Sequence, residues 1–295
     1  MTDPAFRVED YPALASMRLA RMVDTCGGGE AETLRCVLRL LGIEAPPEKL
    51  RGYAEALGAG IAVAQDDLVL RGSWYARDSA GRCTVPCAAP TIEGDGRFRC
   101  ISLGQYRSVL LLPHMAHAAK GITTHLPGSG AGLPAEVYCP AGCGLLEDIF
   151  HELLTPLRCM IPWGESAPVE LPPFPEKAAA VCGKDIVRGI ARLLAMEVAD
   201  VAGATGDVDT DLAAKVSAAL ALAEDFPFVL LHINGADEAS HRRDAAEKRR
   251  FLQRVDSRVI APLLQSRHEV TVVSDHGTDP ESGAHLAAPQ PLFIR

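Results

Sequence analysis

Two apolar runs near the end of the chain constrain the fold most. FVLLHI (228–233) and VTVVS (270–274) are apolar without alternation, the pattern of strands covered on both faces of a sheet. Between them runs a helical segment with Phe251, Val255, Val259 and Leu263 four residues apart. Upstream, AAAVC (178–182) is a third short apolar run. A Gly183 turn then leads to a helix with Ile186, Val187, Ile190, Leu193 and Leu194 on one face. A Gly/Asp/Thr loop (203–210) precedes another helix, Asp211 to Glu224. Apolar strands alternating with helices predict a mostly parallel sheet flanked by helices, so the class is α/β.

The earlier part of the chain is less regular. Residues 13–23 read as a helix with Leu14, Met17, Leu19 and Met22, and residues 30–41 as a second helix closed by Gly42. Residues 67–76 and 108–112 read as strands. Prolines 162, 168, 172, 173 and 175 mark 161–177 as a linker, because proline cannot donate to a helix or a central ladder.

Composition narrows the function classes. A net charge of -9 argues against a broad basic face for nucleic acid. No window of ~18 apolar residues predicts a membrane span, and the N-terminal residues lack the apolar core of a signal peptide. The expected location is the cytoplasm, and the nine cysteines are expected to be reduced thiols.

The chemistry concentrates where the two C-terminal strands end. The first is followed by Asp237 and, four residues on, His241; the second is followed directly by Asp275 and His276; His285 lies on a nearby loop. Beyond the carboxyl ends of parallel strands is where ligands bind in open sheets. Spacing of four puts Asp237 and His241 on one helix face. Carboxylate oxygen with imidazole nitrogen suits Mn²⁺ or Zn²⁺, with Mg²⁺ or Co²⁺ as further options, and does not suit Ca²⁺.

These residues resemble the metal motifs of the archaeal-type, cofactor-independent phosphoglycerate mutases of the alkaline phosphatase superfamily. GADEASH (235–241) with Asp244 and Lys248, and SDHGT followed by His285, carry the resemblance. GATGDVDTDLAAK (203–215), KDIVRGIARLLAM (184–196), WGESAPVELPPFPEK (163–177), GQYRSVLLL (104–112) and EALGAGIAVAQDDLVLRGSWYARDSAGR (55–82) extend it in the same order. It implies an alkaline-phosphatase-like core split around a smaller α+β domain. The expected boundaries are 1–82 and 166–295 for the core and 83–165 for the insert. It also implies two divalent metals, Asp237, His241 and His285 sharing one and Asp275 and His276 the other. Phosphate passes through a serine in the family; Thr33 falls at that position here.

Departures accompany the likeness. The family's first strand, ending in an Asp-Gly metal ligand, has no counterpart before Pro12, so the second metal lacks a ligand. Lys184 and Arg188, near a helix start, and Arg107 are candidate contacts for an anionic substrate. The His114/His117 pair and the Cys83/Cys87 and Cys139/Cys143 pairs fit ordinary structure better than metal sites. The implied function is metal-dependent phosphoryl transfer on a small phosphorylated metabolite, with 2- and 3-phosphoglycerate interconversion in glycolysis as the type reaction. Alternatives are a phosphatase- or kinase-like relative, and a catalytically reduced member that binds metal or metabolite. Oligomeric state is not legible.

Overall fold

The computed structural model describes residues 6–92, 94–127 and 132–295. In chain order the elements are α1 (Pro12–Ala15), β1 (Arg18–Val23), α2 (Thr33–Leu40), α3 (Arg51–Gly58), β2 (Leu68–Arg77), β3 (Cys83–Pro86), β4 (Arg99–Gly104), β5 (Arg107–Leu112), α4 (Gly144–Leu153) and β6 (Arg158–Ser166). Then come β7 (Ala178–Val181), α5 (Asp185–Leu193), β8 (Glu197–Val198), α6 (Leu212–Leu222), β9 (Phe228–Leu231), α7 (Gly235–His241), α8 (Ala245–Val255), α9 (Ala261–Gln265), β10 (Thr271–Val273), β11 (Gly277–Thr278), β12 (His285–Leu286) and β13 (Gln290–Ile294). No helix among the described residues is long and apolar enough to cross a membrane.

The chain forms two compact units. One comprises Met1–Pro46 with Leu171–Arg295, the other Pro47–Glu170. The second unit thus starts well before residue 83. The reason is β2: it pairs antiparallel with β3, β5 and β6, so it belongs to that unit's sheet. Leu68, Leu70, Trp74, Leu110, Leu112 and Met160 pack there against Leu146 and Ile149 of α4. Pro162 lies inside β6, opposite Gly72, rather than in a linker. Proline is tolerated because β6 pairs only with β2 and needs no donor on its outer edge. Inside this unit the buried Glu55 carboxylate meets Arg71 and Arg51. Burial pushes its pKa up, but the arginine charges outweigh burial and bring it to about 2.

The first unit carries the α/β pattern. β8, β7 and β9 form a parallel ladder. β10 pairs antiparallel with β13, and β13 with β1. The expected run of parallel strands therefore divides into a parallel and an antiparallel ladder. β7, flanked on both sides, is fully buried, whereas β9, an edge strand, is only half-buried along its length. The apolar composition of 228–233 does not report that open edge.

The helix expected over 13–23 stops at Ala15, and Arg18–Val23 is a strand. Backbone pairing with β13 outweighs the helical preference of RLARMV, whose Arg, Leu, Ala and Met are all good helix formers. Asp24, just beyond β1, accepts hydrogen bonds from Cys26 N (3.2 Å) and Gly27 N (2.9 Å), so it serves the turn.

Helix α1 is held from a distance. Pro12 opens it without an N–H, and the next two amides, Ala13 N and Leu14 N, donate to the buried Asp256 carboxylate at 3.0 and 2.8 Å. Asp256→Ala leaves both amides unpaired and is expected to cost about 2–3 kcal/mol of stability in urea unfolding. An unchanged midpoint and slope would contradict this role.

Candidate metal centre

The site is assembled from α7, α2 and the turns around β11 and β12. Asn234 precedes α7, and its carbonyl accepts the Asp237 amide at 2.9 Å. Gly235 opens the helix because nothing larger fits: a Cβ there would lie 2.6 Å from the Phe251 ring of α8. This approach seats α7 so that Asp237 and His241 face the same side. β11 and β12 pair, with Thr278 opposite His285, and bring His285 alongside.

Three donor atoms converge. His241 Nε2 lies 3.4 Å and His285 Nε2 3.5 Å from Asp237 Oδ1, and the two ring nitrogens are 3.1 Å apart. Each ring is fixed from behind by a backbone carbonyl: Nδ1 of His241 faces Gly283 O at 3.0 Å, and Nδ1 of His285 faces Ala31 O at 2.7 Å. A carbonyl only accepts, so each Nδ1 carries the proton. In the neutral rings both Nε2 lone pairs then point at each other and at a carboxylate. Such a cluster repels itself unless a cation or a proton sits within it.

The spacing fits a metal. Bonds of about 2.0–2.2 Å put donors about 3–3.6 Å apart for right-angled or tetrahedral geometry. Among the described residues, Asp237, His241 and His285 are the one set of three such donors that meets. In the metal-free chain protons take the metal's place. Burial pushes Asp237 up, but hydrogen bonds to His241 and His285 hold its carboxyl well below the usual range. His241 is raised by its hydrogen bond to Asp237. For His285 burial acts downward, and the hydrogen bond and charge of Asp237 outweigh it, so it too is raised.

Asp275 and His276 make a different arrangement. His276 Nε2 lies 3.4 Å from Asp275 Oδ2 and 3.2 Å from the Thr33 hydroxyl, at the first residue of α2. Asp275 Oδ1 accepts the His276 amide at 2.9 Å. His276 stacks on His285, ring centres 4.0 Å apart, which sets the pair beside the three-donor cluster. The structure therefore brings together six residues singled out in the sequence: Asp237, His241, His285, Asp275, His276 and Thr33.

The anion candidates divide. Lys184 caps α5 and pairs with Glu238, the neighbour of Asp237. Arg188 pairs with Asp200 at 2.6 Å, beyond β8. Arg107 opens β5 in the other unit and donates to Leu103 O at 3.3 Å. The remaining pairs dissolve: His114 bonds the exposed Asp66, and Cys83 lies against Cys159, Sγ to Sγ 3.1 Å, rather than Cys87. Sequence reading passed over Thr278, whose hydroxyl donates to Asp237 Oδ1 at 2.7 Å; its signal was its place in SDHGT, two residues after a ligand candidate.

Comparison with known proteins places this geometry. Residues 175–295 match the Metalloenzyme superfamily. A 2,3-bisphosphoglycerate-independent phosphoglycerate mutase of Metallosphaera sedula is 35% identical over 341 residues, spanning 97% of this chain and 81% of that protein. The chain belongs to the cofactor-independent phosphoglycerate mutase family. A mutase of Methanothermobacter thermautotrophicus is 37% identical over 144 residues, but that match spans 47% of this chain and 35% of the relative. A second from that organism is 27% identical over 283 residues, spanning 83% and 70%. A solved Pyrococcus horikoshii protein superposes with a TM-score of 0.73 at 21% identity, covering 98% of this chain and 80% of that one. A cofactor-independent phosphoglycerate mutase from Thermoplasma acidophilum gives 0.53 at 19% identity, covering 97% and 81%. The fold is thus α/β of the alkaline-phosphatase-like mutase type.

A pH dependence follows for this family member. With both imidazoles raised above their ordinary value, the metal-free site still holds protons at a pH where free histidine has lost them. Metal must displace them, so affinity is full above the raised values and falls as pH drops through them. Calorimetric titration with Zn²⁺ from about pH 8 to about pH 5 is expected to show weakening affinity with proton release. Affinity independent of pH over that window would exclude these ligands.

Proposed function

We propose that this chain performs divalent-metal-dependent phosphoryl transfer on a small phosphorylated metabolite, with 2- and 3-phosphoglycerate as the interconverted pair. The single observation that carries the reading is the Thr33 hydroxyl 3.2 Å from His276 Nε2, beside the three-donor cluster. Asp237, His241 and His285 would hold Mn²⁺ or Zn²⁺, with Mg²⁺ or Co²⁺ accepted by the same donors. When bound, the ion neutralises charge on the phosphoryl oxygens.

The chain's own residues supply the rest. Thr33 stands where a nucleophile needs a base: its hydroxyl proton passes to His276 Nε2 as its oxygen bonds to phosphorus. The bond from phosphorus to the substrate oxygen breaks, and that oxygen takes up a proton. Reversing the steps onto the neighbouring hydroxyl frees Thr33 and completes the exchange. Asp275, 3.4 Å from the His276 ring, stabilises the imidazolium formed in between. Lys184, beside Glu238 and at the start of α5, is the nearest candidate for anchoring the substrate's anionic end. The site draws no help from a net charge of -9, so local cations and the helix terminus must attract the substrate. On this reading the chain acts in the cytoplasm on a glycolytic metabolite.

A second reading is a member that keeps metal or metabolite binding without turnover. It is favoured by the Asp275–His276 pair, which gains no third carboxylate, imidazole or thiol donor among the described residues.

One experiment separates them. With Mn²⁺ and 3-phosphoglycerate, followed by ³¹P NMR, the native chain is expected to form 2-phosphoglycerate. Thr33→Ala should lose about 100-fold or more of that rate. Rapid quenching should add about 80 Da to the peptide bearing Thr33. Turnover indifferent to Thr33→Ala removes the threonine route, and native protein that binds metal without turnover establishes the second reading.

A further inference from the structure

Two buried thiols flank the turn that presents Thr33. Cys26 follows β1, and Cys36 lies on α2, one helical turn beyond Thr33. Both are shielded from solvent, and their sulphurs are 3.6 Å apart. Both are free thiols in this structure.

The backbone around Cys26 is built for close approach to α2. Cys26 opens a tight turn in which Gly29 N donates to Cys26 O at 3.2 Å, and Gly27 and Gly28 take left-handed φ values of 61° and 73°. A Cβ on Gly27 would sit 2.6 Å from the Arg39 guanidinium of α2, whereas one on Gly28 would meet nothing within 4 Å. The turn is therefore packed on one side and open on the other. Bonding the sulphurs requires them to close by about 1.5 Å, which backbone without a Cβ can absorb. The resulting ring would span residues 26–36. It contains Ala31, whose carbonyl holds the His285 ring, and Thr33, whose hydroxyl faces His276.

We propose that Cys26 and Cys36 form a reversible disulfide, made by hydrogen peroxide, that locks the Thr33 turn onto α2. The Cys26 sulphur attacks one peroxide oxygen and the O–O bond breaks. The departing hydroxide takes the Cys26 proton and leaves as water, so Cys26 is now a sulfenic acid. The Cys36 sulphur then displaces that oxygen, which leaves with the Cys36 proton as a second water. Two thiols are oxidised, and one peroxide is reduced to two waters. Burial, with Cys26 beside it, pushes the Cys36 thiol up to about 12, so Cys36 enters as the protonated partner. Restricted access slows the first step, and contact between the sulphurs favours the second. The lock rests on the nucleophile reading of Thr33 for its purpose, but not for its test.

The test treats the folded full chain with hydrogen peroxide, blocks remaining thiols with N-ethylmaleimide, and digests with trypsin. Cleavage after Arg21, Arg35 and Arg39 puts the two cysteines on separate peptides, 22–35 and 36–39. This distinguishes their link from one between Cys83 and Cys159, whose sulphurs also touch. The expected product is the two peptides joined, about 2 Da lighter than their sum, and parted again by dithiothreitol. Amide exchange over residues 27–33 should slow about tenfold in the oxidised chain and recover on reduction. Cys26→Ser, given the same peroxide, should show neither change. No joined peptide, a joined peptide formed only in urea, or a link that leaves exchange unchanged overturns the proposal. Should Cys26→Ser not fold, reversal of the native chain by dithiothreitol supplies the control. Turnover is not read, so failure of phosphoryl transfer would not mimic failure of this inference.

Discussion

Two imidazole lone pairs and a carboxylate oxygen face one another across 3.1–3.5 Å, and the rest of the site is built to keep them there. Repulsion would push such groups apart or turn them over. Turning is blocked because the far nitrogen of each ring is tied to a backbone carbonyl, Gly283 for His241 and Ala31 for His285. Moving apart is opposed by α7 seated on Phe251 and by the β11–β12 ladder. The arrangement is a stored demand for positive charge, met by a metal or, failing that, by protons: the Asp237 carboxylate raises both imidazoles, and their hydrogen bonds hold its own carboxyl low.

The Ala31 carbonyl links this demand to chemistry. It lies in the segment between β1 and α2, two residues before Thr33. The bond that fixes a ligand ring therefore also anchors the turn that presents the hydroxyl. His276 closes the circle, stacked on His285 and bonded to Thr33.

Much of this was legible in the residues. Asp237 and His241 are four apart on a helix, and helical geometry alone put them together. Asp275-His276 after an apolar strand announced a second cluster at the same edge. What the residues did not show is pairing. RLARMV looks helical in isolation, and only the open edge of β13 makes it a strand. Pro162 looked like a breaker until an outer strand position absorbed it. FVLLHI looked fully buried because composition says nothing about whether a strand has one neighbour or two. Thr278 escaped notice because threonine carries no charge and its role depends on where two distant oxygens and nitrogens fall. Arg188 drew attention as a cation near a helix start, but Asp200 was there to hold it.

The most direct test of the central claim is anomalous diffraction from crystals of the chain grown with Mn²⁺ and measured across the manganese edge. A peak about 2.0–2.3 Å from Asp237 Oδ1, His241 Nε2 and His285 Nε2 together is the predicted result. No peak at that point, with the three side chains turned away from one another, would contradict it.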